Sequence, residues 1–355
     1  MTLLDLIGEN ATTALIGLGG GMALGLAARL GRFCTMGAIE DVLYGGSTVR
    51  MRMWGLAIGI AVIASFTLMA TGLFAPEQSF YLSTRWLPLA SIIGGLMFGY
   101  GMALAGNCGY GCIARMGGGD IRAFVMVLVM GLAAYITLSG PLAALRAQVF
   151  TQLPLTPAEG TPGFAHWLAV GTGLPVPAIG VTIGALITLT ALTSHQFLTN
   201  PKALFWAVVV GLAIASGWAG STYVATTGFA AVPVVSHSFA APVGETLLYT
   251  MTASARAPSF AVGSVVGVAL GAFVGSLIKG HFRWEACEDP RELRRQIAGA
   301  ALMGTGAVIA MGCTVGQGLS AFSVLSFSAP VTFLSIFAGA ALGLRQLIEG
   351  FQPAE

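Results

Sequence analysis

Long apolar runs separated by short polar turns cover most of this 355-residue chain. The runs predict membrane crossings at about 13–30, 53–74, 89–107, 121–139, 176–194, 203–219, 257–279, 295–311 and 330–348. Each is close to the ~20 residues a helix needs to cross hydrocarbon. The expected fold is therefore all-α: a polytopic membrane protein of about nine transmembrane helices, with re-entrant or broken helices added where glycine interrupts a run.

Composition sharpens this reading. Hydrophobic residues make up 56% of the chain and charged residues 8%, against about 25% charged in soluble proteins. Such a chain cannot cover its exterior with charge, so the lipid bilayer must be its main solvent. The net charge of +2 offers nucleic acid no electrostatic footprint. Asp5 and Glu9 stand where a signal peptide would be basic, so no cleaved leader is expected. The five cysteines show neither zinc nor redox spacing, and no metal or cofactor site is predicted.

Basic residues in short loops set the orientation. Lys279, Arg283, Arg291, Arg294 and Arg295 form the richest cluster, followed by Arg50 with Arg52 and Arg115 with Arg122. The stretches 75–88 and 141–175 hold one arginine each, Arg85 and Arg146. The N-terminus is thus expected outside and the C-terminus inside, in a bacterial inner membrane. Pro154, Pro157 and Pro162, with His166 and Trp167, read as an outer connector. His195 and His237 fall near span ends and read as interfacial residues.

An internal repeat carries the most information. GGLMFGYGMALAGNCGYG from Gly94 aligns without gaps on GAALMGTGAVIAMGCTVG from Gly299, pairing Gly94 with Gly299, Gly101 with Gly306, and Cys108 with Cys313. The first run enters from outside and the second from inside. Gly20, Gly21, Gly25 and Cys34 match Gly94, Gly95, Gly99 and Cys108. A fourth copy, weaker and lacking cysteine, is expected at Gly217, Trp218, Ala219 and Gly220. The expected organisation is a first half-repeat at 1–140, a periplasmic loop and linking helix at 141–200, and a second, inverted half-repeat at 201–355. Inverted repeats place a substrate site near the midplane, where broken helices meet.

The breaks read GRFCTMG, GNCGYGC and GCTVGQG. Unpaired backbone groups facing lipid cost several kcal/mol each, so these turns must line a cavity or pack on protein. Half-helix N-termini there would draw an anion. Thiols are soft, weak donors, suited to a sulfur ligand that must also leave. The candidate path is Cys34, Cys108 and Cys313, with Cys112 one turn beyond Cys108. Asn107 and Gln317 read either as anion donors or as caps of the broken helices. Glu40 and Asp41 read as solvated residues at the inner face, and Cys287 as an exposed loop thiol. Transport of a small sulfur-containing anion is expected rather than catalysis. A membrane thiol or persulfide relay enzyme and a soft-metal carrier for Cu(I) are the alternatives.

GGLMFGYGMALAGNCGYG, GTGAVIAMGCTVGQGLS and GRFCTMGA resemble the YeeE/YedE family of sulfur-transport membrane proteins. The resemblance implies thiosulfate uptake by an hourglass-shaped monomer with re-entrant segments, its pathway cysteines falling on Cys34, Cys108 and Cys313. It also implies a small cytoplasmic TusA-like sulfurtransferase as partner, docking around Arg283 to Arg295. The chain departs from the family in reading NCGYGC, with Asn107, Tyr110 and Cys112, where a GCGSG-like turn is common.

Overall fold

The computed structural model describes residues 7–150, 161–229, 231–286 and 289–350. Pro154, Pro157 and Cys287, singled out above, lie outside the described residues. The architecture is all-α, with three isolated bridges, Ser79–Val234, Asp120–Glu285 and Gly163–Ser326, among the described residues. Apart from the one-turn helices Pro76–Gln78, Phe80–Ser83 and His195–Leu198, the first helices are α1 (Glu9–Leu30), α2 (Thr35–Leu43), α3 (Val49–Ala70), α4 (Pro88–Ala105), α5 (Gly109–Gly117) and α6 (Ile121–Leu138). A middle section holds α7 (Ala143–Phe150), α8 (Phe164–Thr172) and α9 (Val176–Ala191). Then come α10 (Pro201–Thr227), α11 (Ala241–Thr252), α12 (Phe260–Ile278), α13 (Pro290–Ile309) and α14 (Ser328–Glu349). Gly316–Ala321, before α14, is π-helical.

Every expected span overlaps one of these helices. Among the described residues, seven stretches are long and apolar enough to cross a membrane, or eight if α8 and α9, bent by 119°, count as one span. The order of long and short helices recurs. Long α1, short α2, long α3, long α4, short α5, long α6 is followed later by long α10, short α11, long α12, long α13, the short π-helical segment and long α14.

Glycine decides how closely these helices approach. On α1, Gly17, Gly21 and Gly25 lie one turn apart. A methyl group on any of them would overlap the carbonyl oxygen of Phe260, Ser264 or Val268 on α12. On α12, Gly263, Gly267 and Gly271 face the carbonyls of Ala14, Leu18 and Met22 in the same way. Two interlocked stripes of small residues are the usual means of bringing helix backbones together in lipid.

Helices α4 and α13 cross with a different regularity. A methyl on Gly94 would lie 2.7 Å from the Gly306 oxygen, and one on Gly101 would lie 2.6 Å from that of Gly299. In the sequence alignment Gly94 matches Gly299 and Gly101 matches Gly306. Each residue therefore touches the counterpart of the other, the pattern a twofold axis produces.

The fourth copy is not where the sequence pattern suggests. Helix α10 runs unbroken through Gly217–Gly220 to Thr227, and the interruption falls after it, ahead of α11. Gly217 and Gly220 serve packing instead, against Ser236 and Ile16. Trp218 is fully buried and donates its indole N–H to Ser323 Oγ at 2.8 Å. A helix whose glycines admit neighbours has no reason to break.

At the basic end, Asp120 caps α6 by accepting from the Arg122 and Ala123 amides at 3.0 and 3.2 Å. It also pairs with Arg115 Nη2 at 2.7 Å and Arg122 Nε at 3.5 Å. Asp120→Ala removes a cap and the ion pair to Arg115, while Arg122 keeps Glu285 and Glu292, each at 3.8 Å. It is expected to lower stability by about 2 kcal/mol, while Asp120→Asn keeps most of the cap. Thermal melting in detergent checks both.

Candidate functional site

Three helix breaks share one local geometry. Two residues before each cysteine the backbone is left-handed: Arg32 (φ 55°), Gly106 (φ 73°) and Met311 (φ 57°). That turn ends the first helix and lets the cysteine begin the next. Cys34 and Cys108 are the N-caps of α2 and α5. Three residues on, a glycine amide donates to each sulfur: Gly37 to Cys34 at 3.5 Å, Gly111 to Cys108 at 3.4 Å and Gly316 to Cys313 at 3.4 Å. Cysteine here takes the place that serine or aspartate usually fills. Each thiol thus sits at the positive end of a short helix.

Tertiary contacts join the breaks. Cys34 Sγ donates to Asn107 Oδ1 at 3.4 Å, and the Cys108 amide donates to the same oxygen at 3.0 Å. Thr35 Oγ1 donates to Cys108 Sγ at 3.9 Å. On the other side, Cys313 Sγ accepts from the Phe239 amide at 3.3 Å and lies 3.8 Å from Ser238 Oγ. The cysteine-free segment 231–240 therefore still reaches the site, through a hydroxyl and an amide. Cys108 and Cys313 are buried, and Cys34 is partly open.

A cavity of about 680 Å³ reaches Gly312 and Ser238, which adjoin the buried Cys313. Ser238 and Gly312 lie in its wall, with Tyr81, Glu245 and Arg146. At the opposite end Arg50 closes over Gly37, where a methyl group would overlap the guanidinium. Arg50 also pairs with Asp41 at 3.2 Å, beside the exposed Glu40.

The two amide residues part ways. Gln317 is used up by its own turn: Nε2 donates to the Ala310 and Met311 oxygens at 3.0 and 3.2 Å, and Oε1 accepts from Ser328 at 3.1 Å. It is a cap. Asn107 commits only its oxygen to the turn. Cys112 is buried one turn past Cys108, packed in the core.

His237 departs from its interfacial reading. It is fully buried, with Nδ1 2.6 Å from Ser264 Oγ and its carbonyl accepting from Ser320 Oγ at 2.6 Å. Burial follows because its loop folds back between α1 and α12, where Gly20 leaves room for the ring. Sequence reasoning also missed Ser238, Phe239 and Tyr81. No motif marks them. The Cys-Thr dipeptides at 34–35 and 313–314 were visible, and they point to Thr35 and Thr314.

Interrupted helices meeting inside a multi-pass helical protein, with a cavity leading to them, define the class: a membrane transport protein. This chain belongs to the sulphur transport family, whose pattern matches residues 30–342. It is similar to the thiosulfate transporter TsuA of Spirochaeta thermophila, at 28% identity over 325 residues, 87% of this chain and 91% of that protein. It is also similar to the thiosulfate transporter TsuA of Escherichia coli, at 26% identity over 328 residues, 86% of each chain.

Proposed function

We propose that this protein takes up thiosulfate, or a closely related sulfur oxyanion, along Cys313, Cys108 and Cys34 in turn. The observation that carries the reading is the threefold recurrence of one unit: a thiol at a helix start, its sulfur met by the glycine amide three residues on. Thiosulfate pairs a soft terminal sulfur with charged oxygens. Thiols suit the sulfur, and helix-start amides suit the charge. No covalent step is needed. Sites that bind weakly and in series let an anion enter and leave.

The crossing of α4 and α13, and the recurring helix order, support an inverted duplication of 1–140 and 201–355 around the path. The 680 Å³ cavity would be the outer vestibule. The basic end around Arg50, Arg115 and Arg283 would face the cytoplasm of a bacterium, with the N-terminus out and the C-terminus in. The protein would work as a monomer. Exposed Arg291, Arg294 and Arg295 would receive a TusA-like sulfurtransferase.

The test is growth of cells lacking other sulfur uptake routes on thiosulfate alone. Expression of this protein is expected to restore growth. Failure to do so, with the protein present in the membrane, would sink the reading.

A further inference from the structure

Thr35 and Thr314 are the first residues after Cys34 and Cys313, whereas Cys108 is followed by Gly109. A threonine inside a helix usually returns its hydroxyl to the carbonyl four residues back. Thr12, Thr13, Thr67 and Thr137 do so here. A residue just after the cap has no helical carbonyl in reach, and both hydroxyls turn instead toward Cys108.

The two hydroxyls differ in their bonding. Thr35 Oγ1 reaches Cys108 Sγ at 3.9 Å. Thr314 is fully buried, and its hydroxyl faces the same sulfur without a well-formed hydrogen bond to it or to any other group. A buried hydroxyl without a partner is destabilising, and valine would fill the same space without that cost. Its presence indicates a partner that comes and goes.

We infer that Thr35 and Thr314, one from each half of the chain, form with Cys108 a central station in which their hydroxyls donate to oxygens of the passing anion. The Cys108 thiol then meets the sulfur end. This rests on the proposed path and adds a selection rule to it. Two hydroxyl donors favour a sulfur oxyanion over hydrosulfide, which has no oxygen to offer.

The experiment uses full-length protein in liposomes and initial rates of radiolabelled thiosulfate uptake. Thr314→Val is expected to lower Vmax about tenfold, the factor for one hydrogen bond to a charged group. KM should stay within about twofold, because entry from the vestibule is untouched. Thr314→Ser should restore most of the rate. Thr35→Val should act in the same direction, and the double variant should fall below either single one. The melting temperature of Thr314→Val should hold or rise, since an unpaired hydroxyl is gone. A purely structural threonine would show unchanged uptake, or equal losses for Val and Ser with a lowered melting temperature, and either result overturns the inference. Cys108→Ala separates the two levels. If it is inactive while Thr314→Val is normal, only the hydroxyl station fails; if it transports normally, the path fails and the station with it.

Discussion

Cys108→Ala is expected to abolish thiosulfate uptake, by more than about a hundredfold, while the protein still reaches the membrane. Cys108 is joined to the turn of Cys34 by its sulfur, through Thr35, and by its amide, through the Asn107 oxygen. It is fully buried, starts α5, accepts from the Gly111 amide and from Thr35, and its own amide is held by Asn107. Alanine removes the central donor and also the cap, which alone is worth about 1 kcal/mol. Cys108→Ser keeps a cap and a hydroxyl donor, and should retain measurable uptake. Cys112→Ala is the contrast. That side chain is as buried but only packs, so its loss should cost about 1 kcal/mol of stability and leave uptake near normal. Initial rates normalised to membrane protein check all three. Wild-type uptake by Cys108→Ala would remove the thiol path from the account.

Gly263→Val is expected to prevent accumulation of the folded protein. A first side-chain carbon at Gly263 would overlap the backbone carbonyl of Ala14, and no side chain there can move aside. The neighbouring glycines of α1 and α12 meet carbonyls in the same way, so the helices cannot shift to make room without losing the remaining contacts. The cost should reach about 3 kcal/mol or more, beyond ordinary overpacking. Because the loop carrying His237 and Ser238 lodges against both helices, the site should be lost with the pairing. Gly19→Val tests whether position or residue type matters. Gly19 shares α1 but has open space where a side chain would go, and valine should be tolerated. Abundance in membranes and melting of the purified protein measure the difference. Equal abundance of the two variants would contradict the stripe.

The repeat shows how far residues can be read before the fold is seen. Aligning Gly94 with Gly299 and Cys108 with Cys313 needed only spacing. The structure puts those residues at matching breaks because a left-handed turn two residues before a cysteine, and a glycine three after it, are local requirements. Local geometry repeats when local sequence repeats. The fourth break followed no such rule: Gly217–Gly220 looks like a helix end, yet α10 continues because those glycines are filled by Ser236 and Ile16 from elsewhere in the chain.

The amino-acid pattern alone determined the membrane class, the positions of the spans and the three cysteine turns, since burial in lipid and backbone pairing act on contiguous stretches. Only the tertiary structure decided that Ser238 and the Phe239 amide meet Cys313, that His237 is buried, that Gln317 is spent on its own turn while Asn107 joins two thiols, and that Thr35 and Thr314 both face Cys108. The contacts among the thiols, Asn107, Thr35, Ser238 and the Phe239 amide join residues 73 to 75 positions apart. Short-range propensity carries no record of them, because helix packing sets them after each helix has formed.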